Sequence, residues 1–327
     1  MREEKQQSRA LWLVVSVLAV VIAVSIALIG INIWEKNRGV FGQDGVTATS
    51  DTVVYNGKEY TLKDNVETML VLGLDKTVSS DEDSYNNDKQ ADFIILFVID
   101  NQKNECQAIH IDRDTMAEMN VLGVAGEKVG TVTKQIALSH SYGNGKEVSC
   151  RNTANSVSKL LYGVKIDHYV SVTMDAVPVF NDLVGGVELE ILDDFSGVDD
   201  TLIKGEKVKL LGQHALNYVR SRYGLDDSTN NTRMIRQRQY IKALYEKTID
   251  CMKSEKGFVA KASLEMTDYI VSDCSANKLE TVFSKVSGYK FDNIYEIDGE
   301  FKKGEKFIEF YPDEEALNKV IIDVFYN

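Results

Sequence analysis

Hydrophobic residues along this chain form continuous runs separated by polar turns, and the first run is by far the longest. Residues 10–34 contain no charged side chain, and a helix of that length exceeds the roughly 30 Å hydrocarbon core of a bilayer. Trp12 and Trp34, the only tryptophans, stand near its two ends, where membrane helices carry aromatic residues. The pattern predicts a transmembrane helix over residues 10–34.

A cleaved signal peptide is the alternative for this run, but its apolar region usually spans only about 7–15 residues. Residues 1–9 are then a short cytoplasmic stub, and residues 35–52 are a small, polar spacer. Because almost the whole chain follows the apolar run, the simplest topology is a single-pass protein of the cell membrane. Its C-terminal domain would lie outside the cell.

Residues 53–327 alternate predicted strands with predicted helices. VVYNGKEYTL carries an Asn-Gly turn between two short runs, which indicates a hairpin. Residues 67–75 and 91–100 are continuously apolar, as is typical of strands covered on both faces. Further strands are predicted at 105–112, 168–174, 187–192, 293–297 and 306–310, and helices at 152–164, 176–186, 231–253, 276–287 and 313–325. The alternation predicts one layered α/β/α domain with a central mixed sheet.

Composition narrows the range of partners. The formal net charge is −13, which argues against general attraction to nucleic acid or to anionic lipid. The four cysteines and four histidines are scattered without ligand spacing, so a zinc site is not expected. A disulfide remains an open alternative for an extracellular domain, and the sequence does not indicate which cysteines would pair.

The arginines are unevenly distributed, since five of the ten lie within nineteen residues. Arg220 and Arg222 are two residues apart, so they would share one face if YVRSRY is a strand. Arg233, Arg236 and Gln237 follow on a predicted helix, where they can share a face. The intervening loop turns the chain back toward the first pair. Because guanidinium groups bind phosphate oxygens in a bidentate manner, this arrangement predicts a pocket for a multiply charged phosphate.

Aspartates stand at the ends of several apolar strands. Asp75 ends the run VLGLD, Asp92 begins another run, and IDRDT places Arg113 beside two acids. Strand ends are where ligands bind in open α/β sheets, and carboxylates there can hold magnesium or act as a base. The alternative is a solvated surface network between the arginines and the acids of GLDDS. The strand-end aspartates favour the phosphate pocket.

These motifs, taken in order, resemble those of the LytR–CpsA–Psr proteins of bacterial cell envelopes over roughly residues 60–327. VLGLD is similar to the first strand of that family and its aspartate, QAD to Arg-Ser-Asp, IDRDT to Ile-Pro-Arg-Asp-Thr, and SHSYG to Ala-Tyr-Ala-Tyr-Gly. DLVGGVELEI resembles a helix, a Gly-Gly joint and a strand. LLGQHALNYVRSRY followed by RMIRQRQ is the most similar segment.

The resemblance implies a membrane-anchored phosphotransferase. Such an enzyme moves a glycopolymer, such as teichoic acid or capsule, from a polyprenyl-pyrophosphate carrier onto peptidoglycan, and it holds the lipid in an apolar tunnel. The membrane is then a partner through the N-terminal helix, and nucleic acid is not. Carried over by motif, the pyrophosphate-binding residues are Arg113, Arg220, Arg222, Arg233 and Gln237, the catalytic residues are Asp75, Asp92 and Arg113, and the ligands of Mg²⁺ are Asp75 and Asp92.

Several positions depart from the family pattern. Gln90 replaces an arginine before the second aspartate, and Asp112 replaces the proline before Arg113. Gln135-Ile136-Ala137 replaces Lys-Ile-Asn, with Lys134 one place out of register, and STNN replaces the Gly-Asp that introduces the arginine helix. A basic group and an asparagine of the expected site are therefore missing or shifted.

Two alternative functions use the same residues. A polyprenyl-pyrophosphate hydrolase would release phosphate with water as the acceptor. A non-catalytic binder of the carrier lipid, acting as a regulator of the cell envelope, would bind without turnover. Direct control of transcription is not expected, because MREEKQQSR is too short for a folded DNA-binding unit.

Overall fold

The computed structural model describes residues 38–40, 51–75, 90–222, 224–225 and 229–327. The predicted stub, the predicted membrane helix over 10–34 and most of the spacer lie outside the described residues, so these predictions stay predictions. Within the described part of the chain, no helix has both the length and the apolar character needed to cross a membrane.

Most of the predicted strands and helices are present, but they interleave only from residue 147 onward, because the first eight described strands precede the first described α-helix. The described strands are β1 (Arg38–Val40), β2 (Thr52–Tyr55), β3 (Lys58–Thr61), β4 (Val66–Leu74), β5 (Ala91–Asp100), β6 (Glu105–Ile111), β7 (Met116–Leu122), β8 (Lys128–Gln135), β9 (His168–Thr173), β10 (Val187–Glu190), β11 (Lys207–Leu210), β12 (Ile270–Ser272), β13 (Lys290–Glu296), β14 (Gly299–Lys303) and β15 (Ile308–Pro312). The described α-helices are α1 (Glu147–Leu160), α2 (Ala176–Leu183), α3 (Gln213–Arg220), α4 (Asn230–Ser254), α5 (Phe258–Glu265), α6 (Ala276–Val286) and α7 (Glu314–Phe325).

Six strands form the central sheet, in the order β12-β9-β4-β5-β6-β13. β4 pairs with β9 in parallel and β6 pairs with β13 in parallel, whereas the other neighbours are antiparallel. The predicted mixed sheet is therefore confirmed. The sheet places the C-terminal end of β4 and the N-terminal end of β5 at the same edge, where the predicted aspartates stand.

Alternation along the central strands divides the core into two layers. Leu70, Leu72 and Leu74 of β4 pack in one cluster with side chains of α1 and α7. Met69 and Val71 face the other way and pack with side chains of α6. Because successive side chains of a strand point to opposite faces, the continuous apolar run of β4 serves two cores. The predicted three-layer arrangement thus follows from the strand itself.

Tyr218, Val219 and Arg220 of this segment form the last turn of α3, and Arg222 lies just beyond the helix, so the prediction that Arg220 and Arg222 project from a strand is wrong. α3 ends at Arg220, and Ser221 has an extended backbone. Ala215, Leu216 and Tyr218 are buried, so the helix is held by an apolar face in its middle. The short run YVRSRY, read alone, contains only the last turn of that helix.

Candidate active site

A cavity of about 720 Å³ lies between the α6-facing side of the sheet and helices α2 to α6. All seven residues predicted for the site line this cavity: Asp75, Asp92, Arg113, Arg220, Arg222, Arg233 and Gln237. They come from four separate parts of the sequence and meet at one end of the cavity. The structure therefore brings the predicted site residues together, and their roles remain predictions.

A β-bulge places Asp92 beside this cavity. Gly73 pairs with Phe93 and Leu74 pairs with Ala91, so Asp92 is the extra residue of β5 with no partner on β4. A bulge bends its strand and re-aims the side chain at that position. Asp75 follows the last residue of β4 at the same edge, so both carboxylates reach one cavity.

Gly73 is required for the close packing of this bulge. A Cβ atom at position 73 would lie 2.9 Å from the Cβ of Phe93, closer than normal contact. Gly73→Ala is expected to destabilise the fold by roughly 1–3 kcal/mol through overpacking, measured by urea unfolding. Gly130→Ala is the matched control, because nothing lies within 4 Å of its Cβ position. Equal stability of the two variants would contradict this account.

Arg113 is held at the acidic edge by three side chains. Its Nη1 contacts Asp92 Oδ1, and its Nη2 donates to Gln90 Oε1 at 2.8 Å. Its Nε lies 3.4 Å from Asp114 Oδ1. Gln90, which departs from the family pattern, thus accepts a hydrogen bond from Arg113 instead of adding a second positive charge. The guanidinium keeps a fixed orientation at the cavity wall.

Arg220 and Arg222 lie at a more open part of the cavity. Arg220 Nη2 is 3.2 Å from Asp75 Oδ1, and the side chains are 54% and 44% exposed. Solvent-exposed ion pairs contribute about 0–1 kcal/mol, so this contact leaves Arg220 able to exchange its partner for an anionic ligand. The two arginines lie on the cavity wall at and just beyond the C-terminal end of α3.

Arg233 is the most buried of the cavity arginines, with only 7% of its surface exposed. Its Nη2 donates to Asn230 Oδ1 at 2.6 Å, and Asn230 Nδ2 donates to Asp112 Oδ1 at 2.9 Å. Its buried Nε has no hydrogen-bond partner among the described residues. Burial lowers the pKa of the guanidinium, although Asp92 opposes this effect. A bound anion would offset the burial of this charge.

The contacts of Asn230 join two departures from the family pattern, Asp112 and the STNN segment. One amide side chain accepts from the arginine and donates to the carboxylate, which satisfies both of its polar ends. Sequence reasoning missed this link because the two segments are distant in the chain. It positions Arg233 without contacting the open cavity itself.

Arg236 and Arg238 do not belong to the cavity. Arg236 Nη1 lies 2.9 Å from Asp193 Oδ2, its Nη2 donates to the Ser221 carbonyl oxygen, and it is 1% exposed. Arg238 pairs with Glu296 at 2.6 Å. The prediction that Arg236 shares a face with Arg233 and Gln237 is therefore wrong, since only the latter two line the cavity.

Gln237 connects the two arginine-bearing segments. Its Nε2 donates to the carbonyl oxygen of Val219 at 3.1 Å, which lies next to Arg220 in the last turn of α3. This bond ties the first half of α4 to the end of α3. Gln237 is therefore placed to support the arginines through the backbone as well as to face the cavity.

Asp114 lies directly behind the arginines. Burial, together with the neighbouring charge of Asp112, raises the pKa of Asp114 to about 6. Gln135 Nε2 donates to its Oδ1 at 2.7 Å. Gln135 stands where the family pattern has a lysine. The donor to Asp114 is therefore a neutral amide, which does not offset the raised pKa of Asp114 as a positive charge would.

The raised pKa of Asp114 makes stability depend on pH. The folded state retains this proton to higher pH than the unfolded chain does, so stability falls as the pH rises from about 4 through about 6. Asp114→Asn, which can still accept from Gln135, is expected to remove this dependence. Relative to the parent, the variant should gain roughly 1–3 kcal/mol of unfolding free energy between pH 4 and pH 7. Urea unfolding at both pH values measures this gain, and a difference independent of pH would contradict the assignment.

The far end of the cavity is apolar. Its walls come from the sheet and from helices α2, α4, α5 and α6, and include Val71, Val170, Val172, Phe180, Leu244, Phe258, Met266, Leu279 and Phe283. Cavities that bind small molecules commonly combine an apolar lining with a few converging polar groups. This one combines a charged end with an apolar end, which suits a ligand that is itself amphiphilic.

A sequence model described as the LytR_cpsA_psr family matches residues 35–320. Polyisoprenyl-teichoic acid–peptidoglycan teichoic acid transferase TagU of Enterococcus faecalis is 24% identical over 240 residues, covering 71% of this chain and 70% of that protein. The correspondingly named TagV of Bacillus subtilis is 26% identical over 243 residues, covering 71% of this chain and 58% of that protein.

A solved structure supports the fold. The crystal structure of Bacillus subtilis TagV superimposes with a TM-score of 0.60 at 22% identity, covering 80% of this chain and 98% of that chain. At this level of identity the likeness establishes the fold alone. The alignment with the TagV sequence spans less than two thirds of that protein.

Proposed function

This chain belongs to the LytR–CpsA–Psr family, and from that premise we propose that it transfers a glycopolymer from a polyprenyl-pyrophosphate carrier onto peptidoglycan. The observation that carries the proposal is the cavity, which has an arginine-lined end and an apolar end. A polyprenyl pyrophosphate has the same two parts. The names of the two curated relatives favour teichoic acid as the polymer.

The arginines neutralise the charge of the pyrophosphate in this proposal. Arg113 and Arg233 are held by neighbouring side chains before any ligand arrives, so little reorganisation accompanies binding. Arg220 exchanges its exposed contact with Asp75 for a phosphate oxygen. Donors placed in advance around a developing charge are a major source of catalysis in phosphoryl transfer.

The acceptor hydroxyl attacks the phosphorus that carries the glycopolymer. A new bond forms between that oxygen and phosphorus, and the bond to the bridging oxygen breaks, which releases polyprenyl phosphate. The hydroxyl proton passes to a carboxylate at the cavity edge, either Asp75 or Asp92. Arg113, which contacts Asp92, stabilises the charge on the departing phosphate.

Asp75 and Asp92 are also the residues that would hold magnesium. Both are carboxylates on one cavity edge, and hard oxygen ligands together with substrate phosphates suit Mg²⁺. Each carboxylate contacts an arginine, so a bound ion would share them with Arg113 and Arg220. When bound, the ion would neutralise phosphate charge.

The predicted membrane helix over residues 10–34 supports the same proposal. A single span would keep the domain at the outer surface of the cell membrane, where both the carrier lipid and peptidoglycan are found. An apolar cavity end facing the bilayer could then receive the polyprenyl chain directly.

The reaction can be tested with the full chain and a lipid-linked polymer. The proposal expects polyprenyl phosphate to appear only when peptidoglycan is supplied, with polymer attached to it. Release without the acceptor would support the hydrolase instead. Binding of the lipid without any product would support a non-catalytic carrier-lipid binder, and absence of binding would overturn all three.

Asn230→Ala is expected to weaken binding of the lipid pyrophosphate by roughly 10- to 150-fold, because a hydrogen bond to a charged group contributes about 1.5–3 kcal/mol. Arg233 would lose the contact that orients it. Titration of the lipid into the purified full chain measures the affinity. Asn231→Ala, an exposed neighbour in the same helical turn, is the control and should bind normally. Equal affinities in the two variants would contradict the positioning role.

A further inference from the structure

A second group of ligand-type side chains lies at the opposite end of the sheet from the arginines. His168 begins β9, and Asp273 and Cys274 follow β12. One potential ligand atom from each of these residues lies within 4.8 Å of the other two. Sequence spacing did not indicate this group, because β9 and β12 are far apart in the chain and become neighbours only in the sheet.

The strand register explains why these residues meet. β12 pairs with β9 in antiparallel orientation up to Ser272 and Val170, so residues following β12 lie beside the start of β9. Asp273 Oδ1 accepts a hydrogen bond from the Tyr169 backbone nitrogen at 3.0 Å. This hydrogen bond ties the bend that carries Asp273 and Cys274 to the backbone of β9.

The two ring nitrogens of His168 face different carboxylates. Nδ1 lies 3.6 Å from Asp273 Oδ2, and Nε2 lies 3.7 Å from Glu67 Oε1. Nδ1 is buried and has no hydrogen-bond partner among the described residues. Neither distance is a hydrogen bond, so the ring is positioned beside both acids without being satisfied by either.

Glu67 is fixed by two lysines. Lys278 Nζ lies 2.7 Å from its Oε1, and Lys285 Nζ lies 3.3 Å from its Oε2. A metal-bound histidine usually directs its second ring nitrogen to a carboxylate, which sets the ring orientation. Glu67 is the carboxylate on the Nε2 side and would have to approach by several tenths of an ångström to accept that bond, while Nδ1 faces Asp273 and Cys274.

We propose that His168 Nδ1, Asp273 and Cys274 form a binding site for a zinc-type divalent cation, with Glu67 orienting the histidine. Zinc accepts nitrogen, sulfur and oxygen ligands at about 2.0–2.3 Å, which separates neighbouring ligands by roughly 3.3–3.8 Å. The observed spacing within 4.8 Å requires a contraction of about an ångström. Asp273 is exposed, so water completes the fourth position.

The chemistry distinguishes this site from the proposed magnesium site. Binding removes one proton from the Cys274 thiol, and a thiolate with a carboxylate balances the charge of a divalent ion. Thiolate ligands favour zinc over magnesium, which prefers oxygen. The site is far from the arginine end of the cavity, so it is independent of the proposed transfer reaction.

Cobalt titration of the full chain tests the site, because a cobalt–thiolate bond produces a charge-transfer absorption band that zinc removes. The parent is expected to bind one equivalent through Cys274. Cys274→Ser and His168→Asn should lose the band, and Glu67→Gln should bind about 10- to 100-fold more weakly. Cys251→Ser, a half-buried cysteine on α4, is the control and should retain it.

Circular dichroism of each variant separates lost ligands from lost folding. If Cys274→Ser does not fold, His168→Asn and Glu67→Gln provide the test. No thiolate band in the parent, or a band that persists in folded Cys274→Ser, would overturn the site and leave only an ion-pair network.

Discussion

Arg113→Ala is expected to lower kcat/KM for polymer transfer by about 10²–10³, the typical loss when one preorganised donor to a developing charge is removed. In the proposed mechanism Asp92 is a catalytic carboxylate and the arginines bind the pyrophosphate, and Arg113 contacts both Asp92 and Gln90 at the cavity wall. Its removal also deprives Asp92 of its direct ion-pair partner. Steady-state transfer with a lipid-linked polymer and peptidoglycan measures the loss.

Two variants sharpen this test. Arg113→Lys keeps one positive charge but loses the planar fork, so it should recover only part of the activity. Arg151→Ala removes an exposed arginine of α1 that does not line the cavity, so transfer should be unchanged. Normal kcat/KM in Arg113→Ala would remove Arg113 from the site.

Arg236→Ala is expected to reduce the free energy of unfolding by about 3–5 kcal/mol, as when one partner of a buried ion pair is removed. Its guanidinium is buried against Asp193 and lies 5.2 Å from the ring centre of Phe195 and 5.9 Å from that of Tyr218. Removing it leaves a carboxylate without its partner and a cavity beside two rings. Urea unfolding of parent and variant gives the difference.

Arg220→Ala is the matched comparison for Arg236→Ala, since its ion pair with Asp75 is about half exposed. It should change stability by less than about 1 kcal/mol while weakening binding of the lipid pyrophosphate. Folded Arg236→Ala should still bind the lipid. A large loss of stability in Arg220→Ala, or weakened lipid binding with normal stability in Arg236→Ala, would contradict these roles.

The acidic edge of the site could be predicted from local sequence. Continuous apolar runs around 67–75 and 91–100 indicate strands buried on both faces. Asp75 stands at the end of the first run and Asp92 near the start of the second, which indicates the edge of the sheet. The order of motifs then indicated the family. These features are local, because a continuous apolar run within one segment is enough to indicate a strand that is buried on both faces.

Other elements were missed because their sequence pattern is weak. The hairpin of β7 and β8 was not predicted, and Lys128–Gln135 is mostly exposed with few apolar positions. Without alternating apolar residues, a strand has no periodic signal to read. The prediction for YVRSRY was wrong for a different reason. The motif was interpreted alone, whereas the apolar residues that indicate a helix, such as Ala215 and Leu216, precede it in the chain.

What the sequence by itself determined is the family, the central strands and the set of charged residues available to the site. Only the tertiary structure decided where each arginine side chain of α4 lies: Arg233 lines the cavity, whereas Arg236 is buried against Asp193. It also joined Asp112 to Asn230 and His168 to Cys274. The burial of a strand can be inferred from the side chains within that strand. These contacts instead depend on the order of the strands in the sheet and on the rotation of the helices, and both are determined by the packing of the whole core.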